Sequence, residues 1–557
     1  MPSLAVSTLA KCLRGAGHSV NILDYNIFFH KHVSTTRYSK PDFGILTEKD
    51  KTSNYINNNE NAAVFAEIEN AFFSWQKIGK SELYGISLTP LSLYERPSLK
   101  FKNHNLFVVN SAALIANRIK KQFPGFTVIG SDELPKPAYR AVLLKYSCFD
   151  FAIYSNGEAS IIKLSNYLAD KSVRLSHVLE KTPKGIIDHR GDVEQSPKGS
   201  ADYKGYPLKL YTVPTAALLE RYTPGAKKFL DKKNVAPQLI VRYQFDNSCR
   251  GKCTFCTSGD LAFKSSNTVD QTFEDLCQLK ELGATGIYFI NTNFNNTYKF
   301  ADELCDKMIK ARLNLLWCDC ANFRELDEKL LVKMKKAGAI KLTFGLETGS
   351  RRLLRFIRKG ITTDMIEKYL RYSDSLGIWN AIEVIAGLPS ETSSDVHETA
   401  AFMRTISSLT DSYSLSRFHL FAPSPFGRKP AEFGIRLLED DIKNINYITQ
   451  GALRYCTRKF EEINGLTWLE KEKQMYNSEM VIGKALCLKE ALGDTPQHTY
   501  HIHLLMFLYR TLGYSNKKLI GMLFRYATRQ YKPYHSEEFF PLAAGPCLQQ
   551  KNRRESR

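Results

Sequence analysis

A chain of 557 residues is too long for one hydrophobic core and reads as roughly three or four domains. Hydrophobic residues make up 43% and charged residues 24%, ordinary values for a globular protein, and no segment reaches the roughly 20 apolar residues that span a bilayer. Lys and Arg number 77 against 57 Asp and Glu, a net charge of +20 that favours anionic partners; without a recognisable RNA-binding module, nucleic acid is not the expected one.

Twelve cysteines are too sparse for a disulfide scaffold. Three of them are tightly grouped, which reads as a reducing cytoplasm with one metal site. The opening MPSLAVSTLAKCLRGAGHSV carries its positive charges after its apolar stretch, the wrong order for a signal peptide.

The first part alternates helix and strand signals. Leu4 to Leu13 has helical spacing and ends at Gly15 and Gly17, and Val20 to Leu23 is a short apolar strand closed by Asp24. The Asn-rich stretch from Thr52 to Asn61 reads as an exposed insertion or loop. Tyr84 to Leu88 is a buried strand, Ala112 to Phe123 an amphipathic helix, Phe126 to Ile129 a strand, and Phe149 to Tyr154 another, followed by a helix to about Leu168. The rhythm predicts a doubly wound parallel α/β sheet over 1–170. No G-x-G-x-x-G follows its first strand, so a dinucleotide fingerprint is absent.

Residues 171–236 mix polar, Gly and Pro signals and read as a linker with short elements. A second alternating series occupies 237–435. Its strands are Leu239 to Tyr243, Gly286 to Ile290, Leu313 to Cys318, Ile340 to Phe344, Ile382 to Ile385 and Ser416 to Phe421. Helical patterns lie between them, the first over Phe273 to Leu282 with Asp270 as its cap. Six such units fit a partial (β/α)6 barrel, whose chemistry would lie at the C-terminal strand ends. Residues 436–557 look helical, with amphipathic runs at Ser478 to Leu492 and His501 to Tyr509 and a polar, disordered tail.

The strongest motif is Cys249-Arg-Gly-Lys-Cys253-Thr-Phe-Cys256. Thiolates are the ligands of iron–sulfur clusters; three on one loop would bind three irons of a [4Fe–4S] cube and leave the fourth open to chelate a small molecule. Gly251 lets the loop curl around the cluster without a Cβ clash. A zinc knot is the competing reading, but zinc sites want four protein ligands and no paired fourth lies nearby.

This C-x3-C-x2-C, with an aromatic residue before its last cysteine, resembles the radical S-adenosylmethionine (SAM) superfamily over roughly residues 239–430. The resemblance implies that Cys249, Cys253 and Cys256 ligate the cluster and that Phe255 sits beside the SAM adenine. It also implies reductive cleavage of SAM, a peptide or small-molecule substrate, and an external electron donor of flavodoxin or ferredoxin type. Met334-Lys-Lys-Ala-Gly338 and Phe344-Gly-Leu-Glu-Thr-Gly-Ser350 resemble the family's fourth-strand segment, which nominates Glu347 and Ser350 as SAM contacts; a carboxylate beside glycines can accept from ribose hydroxyls or an ammonium. Ala386-Gly-Leu-Pro-Ser-Glu-Thr392 resembles the fifth-strand turn, nominating the backbones of Gly387 and Leu388. Many relatives carry Asp-Asp-x-Phe after the second strand. Here the stretch is Asn291-Thr292-Asn293-Phe294, so Asn293 is nominated as an uncharged SAM contact.

The segment from Leu4 to Asp24, with YGISLTP, FTVIGSDE and FDFAIYSNGEASIIKL after it, resembles the cobalamin-binding domain that precedes many such cores, with its usual first strand either missing or upstream of the given start. That resemblance implies cobalamin as a further cofactor and methyl transfer as the reaction. No D-x-H-x-x-G occurs, so no histidine is nominated for cobalt, and His18 reads as structural. The alternatives are a cobalamin-independent radical SAM enzyme (epimerase, cross-linking or rearrangement) and a non-enzymatic nucleic-acid-binding protein with a relic loop.

Weaker features have plainer readings. Cys318 and Cys320 alternate on a strand and read as core. His498, His501 and His503 lack a carboxylate or thiol companion and read as a helix start. Arg351, Arg355 and Arg358 recur on one helical face beside Lys359, a solvated face or a phosphate or peptide contact. His419, near the sixth strand's end, is a candidate proton donor or substrate contact.

Overall fold

The computed structural model describes residues 1–25, 27, 43–88, 104–130, 136–154, 157–191, 201–213, 237–260, 266–438, 457–486 and 499–530. His498, Leu492 and the C-terminal tail lie outside them.

The first helix, α1 (Leu4–Gly15), starts where the Ser3 hydroxyl accepts from the Val6 N–H at 3.4 Å. The strand expected over Val20 to Leu23 does not form. Its backbone is met by side chains: Arg14 donates to the Val20 carbonyl (3.0 Å) and Gln76 accepts from the Asp24 N–H (3.2 Å), so it needs no neighbouring strand. The Asn-rich stretch is not a loop either. It forms α2 (Lys51–Asn58), and α3 (Ala62–Trp75) follows. Tyr55 buries itself by stacking on Phe65 at 4.5 Å and donating to Glu69, so tertiary packing overrides a polar composition.

Strands β1 (Leu83–Ser87), β2 (Phe126–Gly130) and β3 (Phe151–Ile153) pair in parallel, joined through α4 (His104–Gln122) and α5 (Lys136–Lys145). Beyond α6 (Gly157–Ala169), β4 (Val178–Thr182) and β5 (Gly185–His189) form an antiparallel hairpin that extends the same sheet from β3. This part of the expected linker is therefore sheet: Val178 and Leu179 are apolar and buried, and the type of turn residues around Gly185 (φ +125°) hid the pairing. Helices cover both faces. Ala112, Ala113, Tyr139 and Leu143 pack over Ile129 and Ala152 on one side. Ile161 and Leu164, with Leu9 and Leu13 of α1, pack over Val128, Phe151 and Ile153 on the other.

The second sheet has six parallel strands in sequential order: β6 (Ile240–Tyr243), β7 (Gly286–Phe289), β8 (Leu316–Ala321), β9 (Ala339–Glu347), β10 (Trp379–Ala386) and β11 (Ser412–Arg417). Among the described residues its edges, β6 and β11, do not pair, so the barrel is open. The connecting helices are α7 (Val269–Glu281), α8 (Tyr298–Lys310), α9 (Glu328–Lys336), α10 (Arg351–Phe356), α11 (Thr363–Ser375) and α12 (Ser393–Ile406). Their apolar stripes, such as Leu304 and Met308, Leu330 and Met334, or Ile366 and Leu370, form one continuous core with Val241, Ile287, Leu342 and Ile382. The cap of α7 is Thr268, in a reciprocal capping box with Gln271; Asp270 sits in the first turn.

The C-terminal region is less purely helical than its pattern suggested. The strand expected over Ser416 to Phe421 is cut at Phe418, leaving β12 (Leu420–Phe421) to pair with β14 (Thr457–Arg458), while β13 (Ile435–Leu437) pairs with β15 (Phe460–Glu462). Helix α13 (Trp468–Leu486) packs on α12. Helices α14 (Thr499–Leu512) and α15 (Lys517–Gln530) cover the other face of the barrel sheet, against Ile240, Cys318, Ile340 and Trp379. His503 is buried in that core, where desolvation lowers its pKa to about 3, so it is a neutral packing residue and no solvated helix start. Among the described residues no helix is long and apolar enough to cross a membrane.

Candidate active site

The cysteine loop leaves the C-terminal end of β6, the end where a parallel barrel gathers its reactive groups. The loop is held by its neighbours' amides. Asn291 accepts from the Phe245 and Asp246 N–H groups at 2.9 and 3.1 Å, Asn296 accepts from the Arg250 N–H at 3.1 Å, and the Thr292 hydroxyl donates to the Ser248 carbonyl. On its far side the Thr254 N–H donates to the Ile357 carbonyl (3.0 Å), and the Phe426 N–H to the Thr254 carbonyl (2.9 Å).

The sulfurs of Cys249 and Cys256 face N–H donors. Cys249 Sγ faces the Gly251 N–H at 3.3 Å and Asn293 Nδ2 at 3.8 Å, and Cys256 Sγ faces the Ser258 N–H at 3.4 Å. A Cβ on Gly251 would lie 3.2 Å from Cys249 Sγ and 3.7 Å from Cys253 Sγ, so glycine leaves room between the two sulfurs. Burial pushes the Cys253 thiol pKa up, opposed by the Lys359 cation. Among the described residues no three His, Cys, Asp or Glu groups converge on a single ion.

Glu347 ends β9 with a left-handed backbone (φ +67°), a conformation worth about 1–3 kcal/mol of strain in a non-glycine residue. It is buried and ion-paired to Lys359, Oε1 to Nζ 2.6 Å. Gly345 makes the space, since a Cβ there would lie 2.6 Å from Glu347 Oε1 and 2.8 Å from Lys359 Nζ. Lys359 lies 5.9 Å from the Phe255 ring centroid, and Phe255 borders an apolar cluster that includes Leu353, Ile357, Leu388 and Phe426. Thus Phe255, Glu347 and the three cysteines come together, with Asn293 against Cys249. Lys359 is the buried charge that the sequence reading did not single out: its signal was only a cation beside an arginine stripe.

Three nominations fare differently. The Ser350 hydroxyl caps α10 by accepting from the Leu353 N–H (3.4 Å) and donates to Asp395 (2.6 Å), itself held by Arg352. It therefore acts as a cap and strut between β9 and α12. The Gly387 N–H donates to Glu391 (2.9 Å) and the Leu388 carbonyl accepts from the buried Lys471 ammonium (2.7 Å). The Leu388 carbonyl thereby ties α13 to the fifth-strand turn, and the Leu388 side chain packs in the apolar cluster that Phe255 borders. Gly387 adopts φ +83°, and a Cβ there would run into Met475, 2.9 Å from its Cα. Gly387→Ala is accordingly expected to cost about 3 kcal/mol or more, read as a several-degree fall in melting temperature. His419 is exposed between β11 and β12.

Residues 243–403 match the model of the radical SAM superfamily. The chain carries a radical SAM domain. Such a domain implies SAM and a [4Fe–4S] cluster as cofactors. Beyond the domain, an uncharacterized methyltransferase, PH0819, of Pyrococcus horikoshii is 27% identical over 213 residues, covering 38% of this chain and 43% of that protein. The chain thus matches less than half the length of that curated relative. Among solved structures, the radical SAM methyltransferase TsrM from Kitasatospora setae, with cobalamin and a [4Fe–4S] cluster bound, matches at a TM-score of 0.57 and 14% identity over 94% of this chain and 96% of its own. The cobalamin-dependent radical SAM enzyme OxsB matches at 0.52 and 13% over 95% and 77%. At these identities the likeness is one of fold, and it runs through the N-terminal sheet as well as the radical SAM domain.

Proposed function

We propose that this protein is a cobalamin-dependent radical SAM methyltransferase acting on a peptide natural product or other secondary metabolite. One observation carries the reading. The N-terminal α/β sheet, the open barrel and the C-terminal helices together follow the fold of a cobalamin-binding methyltransferase over nearly the whole chain.

Cys249, Cys253 and Cys256 would hold the cluster, and the C-terminal edge of β1, β2 and β3 would hold cobalamin. When bound, the cluster supplies an electron to SAM and cobalamin relays its methyl group. The chain's own groups position and protect. Asn291 and Asn296 fix the loop's backbone, and Phe255 with Leu388, Ile357 and Phe426 keeps water from one side of it. The buried Lys359–Glu347 pair offers a cation and a carboxylate to a zwitterionic ligand.

The test is anaerobic reconstitution with iron, sulfide, SAM and hydroxocobalamin. Retained corrinoid and S-adenosylhomocysteine formation that requires it are the expected results. A Cys249→Ala/Cys253→Ala/Cys256→Ala variant is expected to show no cubane signal by electron paramagnetic resonance and no SAM turnover. Turnover equal to wild type in that variant would sink the radical SAM reading, and turnover indifferent to cobalamin would sink the methyltransferase.

A further inference from the structure

The segment that leaves β7, Asn291 to Asn296, is tied to its surroundings residue by residue. The buried Asn291 amide bonds the Phe245 and Asp246 N–H groups and Asp319. The Thr292 hydroxyl donates to the Ser248 carbonyl. The Phe294 N–H donates to the Cys320 carbonyl (2.8 Å), and its ring stacks on Trp317 at 4.2 Å. The wholly buried Asn295 donates to the Asn322 and Glu325 carbonyls (2.8 and 2.6 Å) and accepts from the Asn322 N–H (2.8 Å). Asn296 donates to Asp246 (2.8 Å) and to the Ser248 hydroxyl (3.0 Å). Asn293 differs from all of these in its target: its Nδ2 faces a sulfur, Cys249 Sγ, at 3.8 Å.

A thiolate carries no proton and can only accept, so Nδ2 and not Oδ1 belongs on the sulfur side. The contact is longer than that of the Gly251 N–H on the same sulfur, 3.3 Å, and correspondingly weaker. The two donors differ in origin. The Gly251 N–H is backbone, supplied by the turn of the loop whatever the side chains; the Asn293 amide is a choice of residue. Because the backbone is fixed on both sides of it, the amide has little freedom left to lose when it engages the sulfur. Hydrogen bonds to ligand sulfurs are one of the levers that set a cluster's reduction potential, since a donor stabilises the negative charge that an added electron places on the sulfur. A carboxylate at the same position acts in the opposite sense.

We propose that Asn293 is a positioning residue that acts through Cys249: its amide donates to Cys249 Sγ and raises the reduction potential of the cluster held there. The proposal rests on the reading of Cys249, Cys253 and Cys256 as cluster ligands, and it gives the side chain a role other than the SAM contact that its place in the sequence suggested. The step it tunes is the gain of one electron from an external one-electron reductant, which is oxidised by one. No bond forms or breaks and no proton moves.

The test is a redox titration of reconstituted wild type, Asn293→Leu and Asn293→Asp without SAM, using dithionite with viologen mediators and following the electron paramagnetic resonance signal of the reduced cubane. Leucine nearly keeps the volume and removes the donor; aspartate keeps the shape and sets an anion against the sulfur. At the wild-type midpoint the reduced-to-oxidised ratio is expected to fall about threefold in Asn293→Leu and about tenfold in Asn293→Asp. These are shifts of about 30 and 60 mV to lower potential, at about 59 mV per tenfold for one electron. Iron content is expected to match wild type, because the loop's anchors at Asn291, Thr292 and Asn296 are untouched. The order wild type, leucine, aspartate is the signature of a donor: a merely loosened loop shifts both variants alike. Coinciding midpoints, or equal shifts in the two variants, overturn the inference. So does a shift that appears only once SAM is added, which would make Asn293 a SAM contact. Wild type that forms no cubane at all counts against the cluster reading itself, a result separable from failure of the tuning role.

Discussion

Lys359→Met is expected to destabilise the barrel by about 3–5 kcal/mol, because it strands the Glu347 carboxylate in a buried site with its ion-pair partner removed. The surrounding backbone shows how strongly the pair is specified. Arg358 (φ +53°) and Gly360 (φ +70°) both take the left-handed conformation on either side of Lys359, and Glu347 does so at its own position. Three such residues hold two charges face to face under the loop, and Gly345 keeps their meeting point clear. The loss should appear as a fall of roughly 10 °C in the melting transition of the barrel. The double variant Glu347→Gln/Lys359→Met removes both charges and should recover most of it, a coupling of at least about 2 kcal/mol in a double-mutant cycle. Independent, additive losses would mean that the pair is not a unit. SAM turnover should fall at least tenfold in the single variant at temperatures where its fold persists, because the ammonium between Glu347 and Phe255 is gone.

The parts of this molecule legible in the sequence are those with a local cause. The barrel strands announce themselves as short apolar runs ending where loops must turn, and the cysteine spacing marks the loop at the end of β6 because three thiols so closely grouped have few other uses. Failures came where the cause is distant. Nothing in the polar Asn-rich stretch says that Tyr55 will stack on Phe65 and draw a helix into the core. Nothing local to Val20 to Leu23 says that Arg14 and Gln76 will take its backbone groups and leave no strand to form. The cap at Ser350 was hidden because a serine after a strand looks alike as a ligand contact and as a helix cap, and its partner Asp395 lies 45 residues on. Lys359 looked like one more surface cation because its inward turn depends on φ angles that its neighbours' identities do not reveal.

Asn291→Asp tests the departure from the acidic pair found in many relatives. Asn291 uses its amide in both directions: Oδ1 accepts from two loop N–H groups and Nδ2 donates to Asp319 at 2.6 Å. Asp319 is almost wholly buried, and burial holds its carboxyl well above the usual carboxylate range, only partly offset by the Asn291 and Cys320 donors. An aspartate at 291 would keep the acceptor and lose the donor, setting two buried carboxyls against each other. The amide is thus what an acid on the next strand requires. Asn291→Asp is expected to cost about 2–4 kcal/mol near pH 8. The sign of the pH dependence follows from the raised pKa. A carboxyl that holds its proton in the fold but not in the unfolded chain favours the fold at low pH, and that contribution drains away as pH rises. The variant's pair can share one proton, so its deficit relative to wild type should narrow as pH falls from 8 toward 5.5, as followed by the melting temperatures of both proteins across that range. A gap that stays constant would mean that the two carboxyls do not meet. Because the same Asn291 oxygen fixes Phe245 and Asp246, any shift it undergoes should also loosen the cluster loop, lowering iron retained after reconstitution in step with the lost stability.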